Sequence, residues 1–130
     1  MQKGVGNHLD VGLLGESLGV RYLKKKGYRI LDTRYTNTSG YRLGEVDIIA
    51  QKGRKVVFVE VKTRTKSHFD DSLPEQNITQ SKLRRLQRIS AVYLRERRLL
   101  DREYSFDALA IVYDSEQKKA QIRHLEDIFL

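Results

Sequence analysis

The stretch from Gly44 to Arg64 reads GEVDIIAQKGRKVVFVEVKTR. Two runs rich in Val, Ile and Phe flank a Lys52-Gly53 pair, the composition of two β-strands joined by a tight turn. Three carboxylates, Glu45, Asp47 and Glu60, and one ammonium, Lys62, interrupt these otherwise apolar runs. Strand side chains alternate, so Val46 and Ile48 are expected on one side and Glu45, Asp47 and Ile49 on the other. On the following strand Val57, Val59 and Val61 take one side; Phe58, Glu60, Lys62, Arg64 and Lys66 take the opposite one. A two-residue loop centred on Lys52-Gly53, with glycine tolerating positive φ, pairs Gln51 with Arg54. That register sets Asp47 across from Phe58 and Glu45 across from Glu60. Asp47 and Glu60 become diagonal neighbours with Cα atoms roughly 7–8 Å apart, and the charged groups gather on one face. An odd-length loop would separate Asp47 from Glu60 by the thickness of the sheet.

Like charges crowded across a sheet destabilise it unless a cation lies between them. Three carboxylates beside a single lysine therefore predict a cation site. Oxygen donors without Cys or clustered His suit a hard divalent ion, Mg²⁺ or Mn²⁺, which retains waters and accepts substrate phosphate. Such an ion polarises a phosphoryl oxygen and acidifies a bound water, while Lys62 is placed to orient or deprotonate that water or to steady developing negative charge.

Working outward, apolar residues at Val11, Leu14, Leu18 and Tyr22 predict a helix over 9–26 with Gly27 as its C-cap. Gly12, Gly15 and Gly19 weaken that helix and allow its backbone to approach a sheet. A strand is expected over 28–35, a polar loop over 36–42 and a longer loop over 66–77 that holds the only proline, Pro74. Leu83, Leu86, Ile89 and Val92 or Tyr93 form the stripe of a second helix over 79–98, followed by strands at 106–113 and 120–125. The order αβββαββ predicts one α/β domain over 1–130 with a mixed sheet.

Composition narrows the function. The 130 residues carry a net charge of +8, which favours a polyanionic partner, nucleic acid first. No apolar run is long enough to span a bilayer, and the first seven residues lack a signal-peptide core. The chain has no cysteine, which excludes disulfides, zinc-thiolate and iron-sulfur sites and thiol catalysis, and points to the cytoplasm. Seven basic residues and one acid lie between Lys82 and Arg98. Within that run Lys82, Arg84, Arg85 and Arg88 are candidate phosphate contacts, with Arg64 and Lys66 extending the charged strand.

Gly44-Glu45-Val46-Asp47, followed after a short hairpin by Glu60-Val61-Lys62, resembles the D…ExK core of the restriction-endonuclease-like, or PD-(D/E)XK, nuclease superfamily. Within it the chain is most similar to the YraN-like family, which resembles archaeal Holliday-junction resolvases. Gly15-Glu16, Gly27-Tyr28-Arg29-Ile30-Leu31, Thr63-Arg64, Lys82 with Arg85-Leu86, and Phe106-Asp107 also follow that pattern. The resemblance implies a three-layer sandwich and a Mg²⁺- or Mn²⁺-dependent endonuclease acting on DNA, branched DNA included. It implies Asp47 and Glu60 as metal ligands with the Val61 carbonyl as a third, Lys62 as the catalytic lysine, Glu16 as an auxiliary acid and Glu45 as an alternate ligand. A homodimer would suit symmetric cutting of a junction. Gly19 departs from the alanine and Thr33 from the asparagine usual in the family.

Plainer readings stand beside these. The charged set is equally what a solvated sheet face with ordinary ion pairs would contain, Glu16 is what any amphipathic helix exposes, and the basic helix is what a solvated surface shows. His8, His68 and His124 lack ligand spacing, Ser67-His68 lacks a nucleophile elbow, and Asp107 reads as structural. Besides a nuclease, a module that holds nucleic acid without cutting it, alone or within a repair or uptake assembly, and a scaffold for an acidic protein both fit the composition.

Overall fold

The computed structural model describes residues 8–38, 40–66 and 73–128. Ser67, His68 and the rest of 67–72, half of the expected 66–77 loop, lie outside the described residues, as does the first heptapeptide. The elements are α1 (His8–Lys25), β1 (Arg29–Tyr35), β2 (Val46–Lys52), β3 (Lys55–Thr65), a 3₁₀ turn (Pro74–Asn77), α2 (Gln80–Glu96), β4 (Tyr104–Asp114) and β5 (Lys119–Leu125). The strands form one sheet in chain order, β1-β2-β3-β4-β5. All neighbours are antiparallel except β3 and β4, which run parallel because α2 carries the chain back between them.

One helix packs on each face, giving the expected three layers. Leu18 and Leu23 of α1 join Ile48, Val57, Val59, Leu109 and Ile111. On the other face Leu86, Ile89, Tyr93 and Leu94 of α2 join Tyr35, Ile49, Val56, Phe58 and Phe106. The Tyr93 ring meets Tyr35 and Phe58 edge-on at 4.9 and 5.9 Å between centroids. Burying each such side chain stabilises the fold by about 1.5–3 kcal/mol.

Local chemistry explains the helix ends. Gly27 takes φ +93, and the Tyr28 N–H to Leu23 C=O and Gly27 N–H to Lys24 C=O bonds close a Schellman motif at the end of α1. Thr79 caps α2 by accepting from the Lys82 N–H at 3.2 Å. Gly15 and Gly19 do bring α1 onto the sheet: a Cβ at Gly15 would lie 1.8 Å from Thr63 Oγ1, and one at Gly19 3.1 Å from Leu109 Cδ1. Gly12 meets nothing within 4 Å, so close packing does not explain it. Among the described residues no helix is long and apolar enough to cross a membrane.

The β2–β3 hairpin corrects the expected register. Lys52 pairs with Lys55 and Gln51 with Val56, so the loop is Gly53-Arg54 rather than Lys52-Gly53. Gly53 has φ +63, and positive φ at the first central position alone is the type II′ pattern, which matches the twist of the strands. The displacement is two residues, an even number, so the side assignments along β3 survive. The ladder runs through Ile49–Phe58 to Ile48–Val59, and the next positions outward are Asp47 and Glu60. Continued one step, that register would oppose them rather than set them diagonally, but the ladder ends at Ile48–Val59.

A second correction falls at that spot. Val46, paired with Tyr35, enters the α2-side core, whereas Ile48, paired with Thr33, enters the α1-side core. Regular alternation would have put both on one side. Arg34, between those partners on β1, has φ +49, a left-handed conformation that costs a non-glycine residue about 1–2 kcal/mol. The two strands therefore change side together at Arg34 and Asp47.

Candidate functional site

The site lies where β2 parts from β3. Past Ile48–Val59 the backbone ladder stops, and the Asp47 carboxylate takes over: its Oδ2 accepts the Val61 N–H at 2.8 Å. The break in alternation turns Asp47 toward α1, where it lines a cavity of about 480 Å³ with Glu16, Arg34, Glu45 and Lys62. Glu60 lines a second cavity of about 170 Å³ beneath α2, with Glu45, Lys82 and Arg85. The three carboxylates Glu45, Asp47 and Glu60 thus do not share one face, as strict alternation had predicted, and Glu16 of α1 joins them. They converge on the opening from both layers, with Glu45 bordering both cavities.

Charge crowding at this opening is severe. Burial pushes the Asp47 carboxyl up to about 7, the negative charge of Glu60 adds to it, and Glu16 and Glu45 contribute further, against the Val61 N–H bond that favours the ionised form. Burial also raises Glu16, an effect that the Arg34 guanidinium opposes and Glu45 reinforces. Arg34 Nε lies 3.4 Å from Glu16 Oε1, so the left-handed residue of β1 ties α1 to the site. Glu45, exposed, pairs loosely with Arg42 at 3.9 Å.

The cationic side is built by β3 and α2. Lys62 Nζ is 3.5 Å from Glu60 Oε2, with both side chains largely sheltered. Lys82, one turn into α2, comes within hydrogen-bonding reach of the Lys62 amine, whose proximity, together with burial, lowers the Lys82 ammonium from its usual range. Lys82 was expected on a phosphate-binding surface; it stands inside the site, next to the lysine of the ExK motif. Arg85 follows it into the α2-side cavity. Arg84 and Arg88 are exposed on α2 and line neither cavity. Arg64 lies further along β3 and Lys66 just beyond its end, away from Asp47.

Among the described residues, no three His, Cys, Asp or Glu side chains are grouped as a ready-made metal cage. The donor chemistry nonetheless fits a hard dication. Mg²⁺ is commonly held by one or two carboxylates and completes its shell with water and phosphate. Asp47 and Glu60 supply two carboxylates, and Asp47 is raised to about 7 first by burial and then by the negative charge of Glu60, both of which a cation would oppose.

Two features escaped the sequence reading. Arg34 carries no signal, because nothing in its neighbours announces positive φ. His124, to which no role was given, lies 2.7 Å through Nε2 from Asp107 Oδ2, and its Nδ1 is 3.3 Å from the Tyr22 hydroxyl. With Nε2–H donated to Asp107, Nδ1 is left to accept from Tyr22. Asp107 also accepts from the Asp127 N–H at 2.9 Å and from Ser105 Oγ at 3.3 Å. This chain pins α1 and the segment after β5 to the sheet, in keeping with the structural reading of Asp107.

With this geometry in view, comparison with known proteins is informative. A family model described as "Uncharacterised protein family UPF0102" matches residues 15–111, and the chain belongs to that family, the YraN family. A UPF0102 protein of Alkaliphilus oremlandii is 40% identical over 119 residues, 92% of this chain and 97% of the relative. One from Flavobacterium psychrophilum is 39% identical over 125 residues, 96% of this chain and 98% of the relative. A third, from Geobacter metallireducens, is 36% identical over 120 residues, 92% of each. The matched segment contains Glu16, Asp47, Glu60, Lys62 and Lys82.

Proposed function

We propose that the protein is a metal-dependent nuclease that hydrolyses phosphodiester bonds in nucleic acid, with DNA, branched DNA included, as its substrate. The observation that carries this reading is the meeting of Asp47, Glu60, Lys62 and Lys82 at the opening between β2 and β3. Asp47 and Glu60, with the Val61 carbonyl, would hold Mg²⁺ or Mn²⁺. When bound, the ion polarises a phosphoryl oxygen and makes water more acidic.

The protein's own groups do the rest. Asp47, fixed by the Val61 N–H, keeps its carboxylate at the mouth of the α1-side cavity. Glu60 holds the Lys62 ammonium at 3.5 Å, so Lys62 arrives oriented and can align the attacking water or neutralise charge growing on the phosphate. Lys82 and Arg85 face the same opening from α2 and are placed to grip non-reacting phosphate oxygens. Glu16, steadied by Arg34, adds negative charge that raises affinity for the cation. The cysteine-free composition suits work in the cytoplasm, and a homodimer would offer two such openings to a symmetric junction.

The test is incubation of supercoiled and four-way-junction DNA with purified protein and Mg²⁺ or Mn²⁺. Cleavage that is lost in Asp47→Asn and Lys62→Ala supports the reading; cleavage unchanged in both removes these residues from the chemistry. A second reading, a module that binds nucleic acid without cutting it, draws on the absence of a preformed three-acid cage among the described residues. Salt-sensitive binding with neither cleavage nor measurable Mn²⁺ affinity would favour it.

A further inference from the structure

Beyond Lys62 the sheet forms a trough, and its composition can be read row by row across three strands. Lys62 of β3 aligns with Ala110 of β4 and Arg123 of β5; Arg64 aligns with Val112 and Gln121. Lys66 lies one step past the β3–β4 ladder, near Asp114, which pairs with Lys119. Small side chains make the floor and long basic ones make both walls. The α2-side core stops at Phe58 and Phe106 and includes no residue of β5, and the 3₁₀ turn, which packs on β3 and β4, brings the neighbouring Leu73 to the edge of the trough. The resulting cavity measures about 420 Å³.

We infer that this trough is a track for one sugar-phosphate strand, so that the substrate class is nucleic acid with a single-stranded arm; the inference rests on the nuclease reading for its direction. Two interstrand spacings make the floor about 9.5 Å wide. That admits a single extended strand between the walls but not a duplex lying in it. Along β3, Lys62, Arg64 and Lys66 recur every second residue, about 6.6 Å, a repeat commensurate with successive phosphates of an extended strand. Charge favours the same occupant: four basic side chains, Arg64, Lys66, Lys119 and Arg123, line the trough against one carboxylate, Asp114. That carboxylate is engaged at the far end, accepting from the Glu116 and Gln117 N–H groups at 3.0 and 3.2 Å and lying 3.9 Å from Lys66 Nζ. Among the described residues no aromatic side chain lines the trough, so the contacts they offer are to the backbone of the strand rather than to its bases. The β5 wall lies outside the segment matched by the family model, residues 15–111.

The experiment measures binding of labelled oligonucleotides by the full chain in the Asp47→Asn background, so that cleavage does not intervene. A splayed fork with a single-stranded arm is compared with a blunt duplex of equal duplex length over a range of KCl. The expected result is tighter binding of the fork, and a loss of at least about tenfold for the fork alone when Lys119→Glu and Arg123→Glu are combined. The slope of log affinity against log salt should fall by about 0.7 per lost phosphate contact, roughly 1.4 for the pair. Lys119→Gln with Arg123→Gln should show the same ordering with smaller size, and serves if the charge reversal fails to fold. Equal losses on fork and duplex, no loss on either, or displacement of the fork by poly-glutamate as readily as by unlabelled single strand would overturn the track. Fork preference that disappears in the β5 variants while the wild-type protein never cleaves DNA would leave the track standing and the nuclease reading refuted; cleavage with unaltered fork affinity would do the reverse.

Discussion

Asp47 on β2 and Asp107 on β4 are two acids of one sheet, and their surroundings are opposite. Asp107 is 2% exposed and is bonded by His124, Ser105 and the Asp127 N–H. Asp47 has one backbone N–H and faces Glu60, Glu16 and Glu45. A carboxylate that has been given its donors holds layers together. One that has been given other carboxylates waits for something from outside the chain. The contrast separates structural from functional burial within a few strands, and it can be attacked from either side.

The largest effect should come at the open site. Asp47→Asn or Lys62→Ala should lower the rate of DNA cleavage by about 10³-fold, equivalent to about 4 kcal/mol of barrier, while thermal unfolding shows the fold intact. Asp107→Ala should do the converse. It leaves His124 and the Asp127 N–H without their acceptor and should cost about 3 kcal/mol in urea unfolding, with cleavage retained by whatever fraction stays folded. A result in which Asp107→Ala abolished cleavage without lowering stability would erase the distinction.

Smaller effects sharpen it. Gly15→Ala forces a methyl against Thr63, so α1 must move off β3; a loss of about 2 kcal/mol is expected in the unfolding midpoint, with weakened Mn²⁺ binding because Glu16 moves too. The pH dependence is the gentlest probe. The folded Asp47 keeps its proton up to about 7, whereas the unfolded chain releases it near the ordinary carboxylate value. Its contribution to stability is therefore full at acid pH and is lost as pH rises from about 4 to about 7, by no more than about 1.4 kcal/mol per pH unit. In chelator-treated protein the difference between wild type and Asp47→Asn should trace that loss. A flat difference would mean that neither burial nor the neighbouring carboxylates raise Asp47.

How much of this was legible in the sequence depends on which interaction set each feature. Strands and helices were readable because burial imposes its period on apolar residues, as in the run from Val56 to Val59. The hairpin loop was misplaced by one residue, from Lys52-Gly53 to Gly53-Arg54, yet the even displacement of register kept Val57, Val59 and Val61 on the side opposite Phe58 and Glu60. The site was legible only in part. Asp47, Glu60 and Lys62 stood out as charges in apolar strands, but the change of side at Arg34 and Asp47 depends on a left-handed arginine, a tertiary outcome with no local cue. Lys82 was read as surface because helical spacing tells which stripe is apolar, not which basic residue bends toward a neighbouring strand. His124 was passed over because its partners lie 17 and 102 positions away.

The parallel pairing of β3 with β4 has a consequence for synthesis. A ribosome that has released the chain only as far as Thr65 has delivered both partners of the first two ladders but nothing to cover the far edge of β3, whose mate begins at Tyr104. Until α2 and β4 emerge, the nascent half-sheet presents a long, valine-rich strand with open backbone valences, a template for pairing with another chain. Translation stalled in that interval should yield aggregates, and the charges that close β3 at Lys62 and Arg64, with Lys66 just beyond it, act there as gatekeepers.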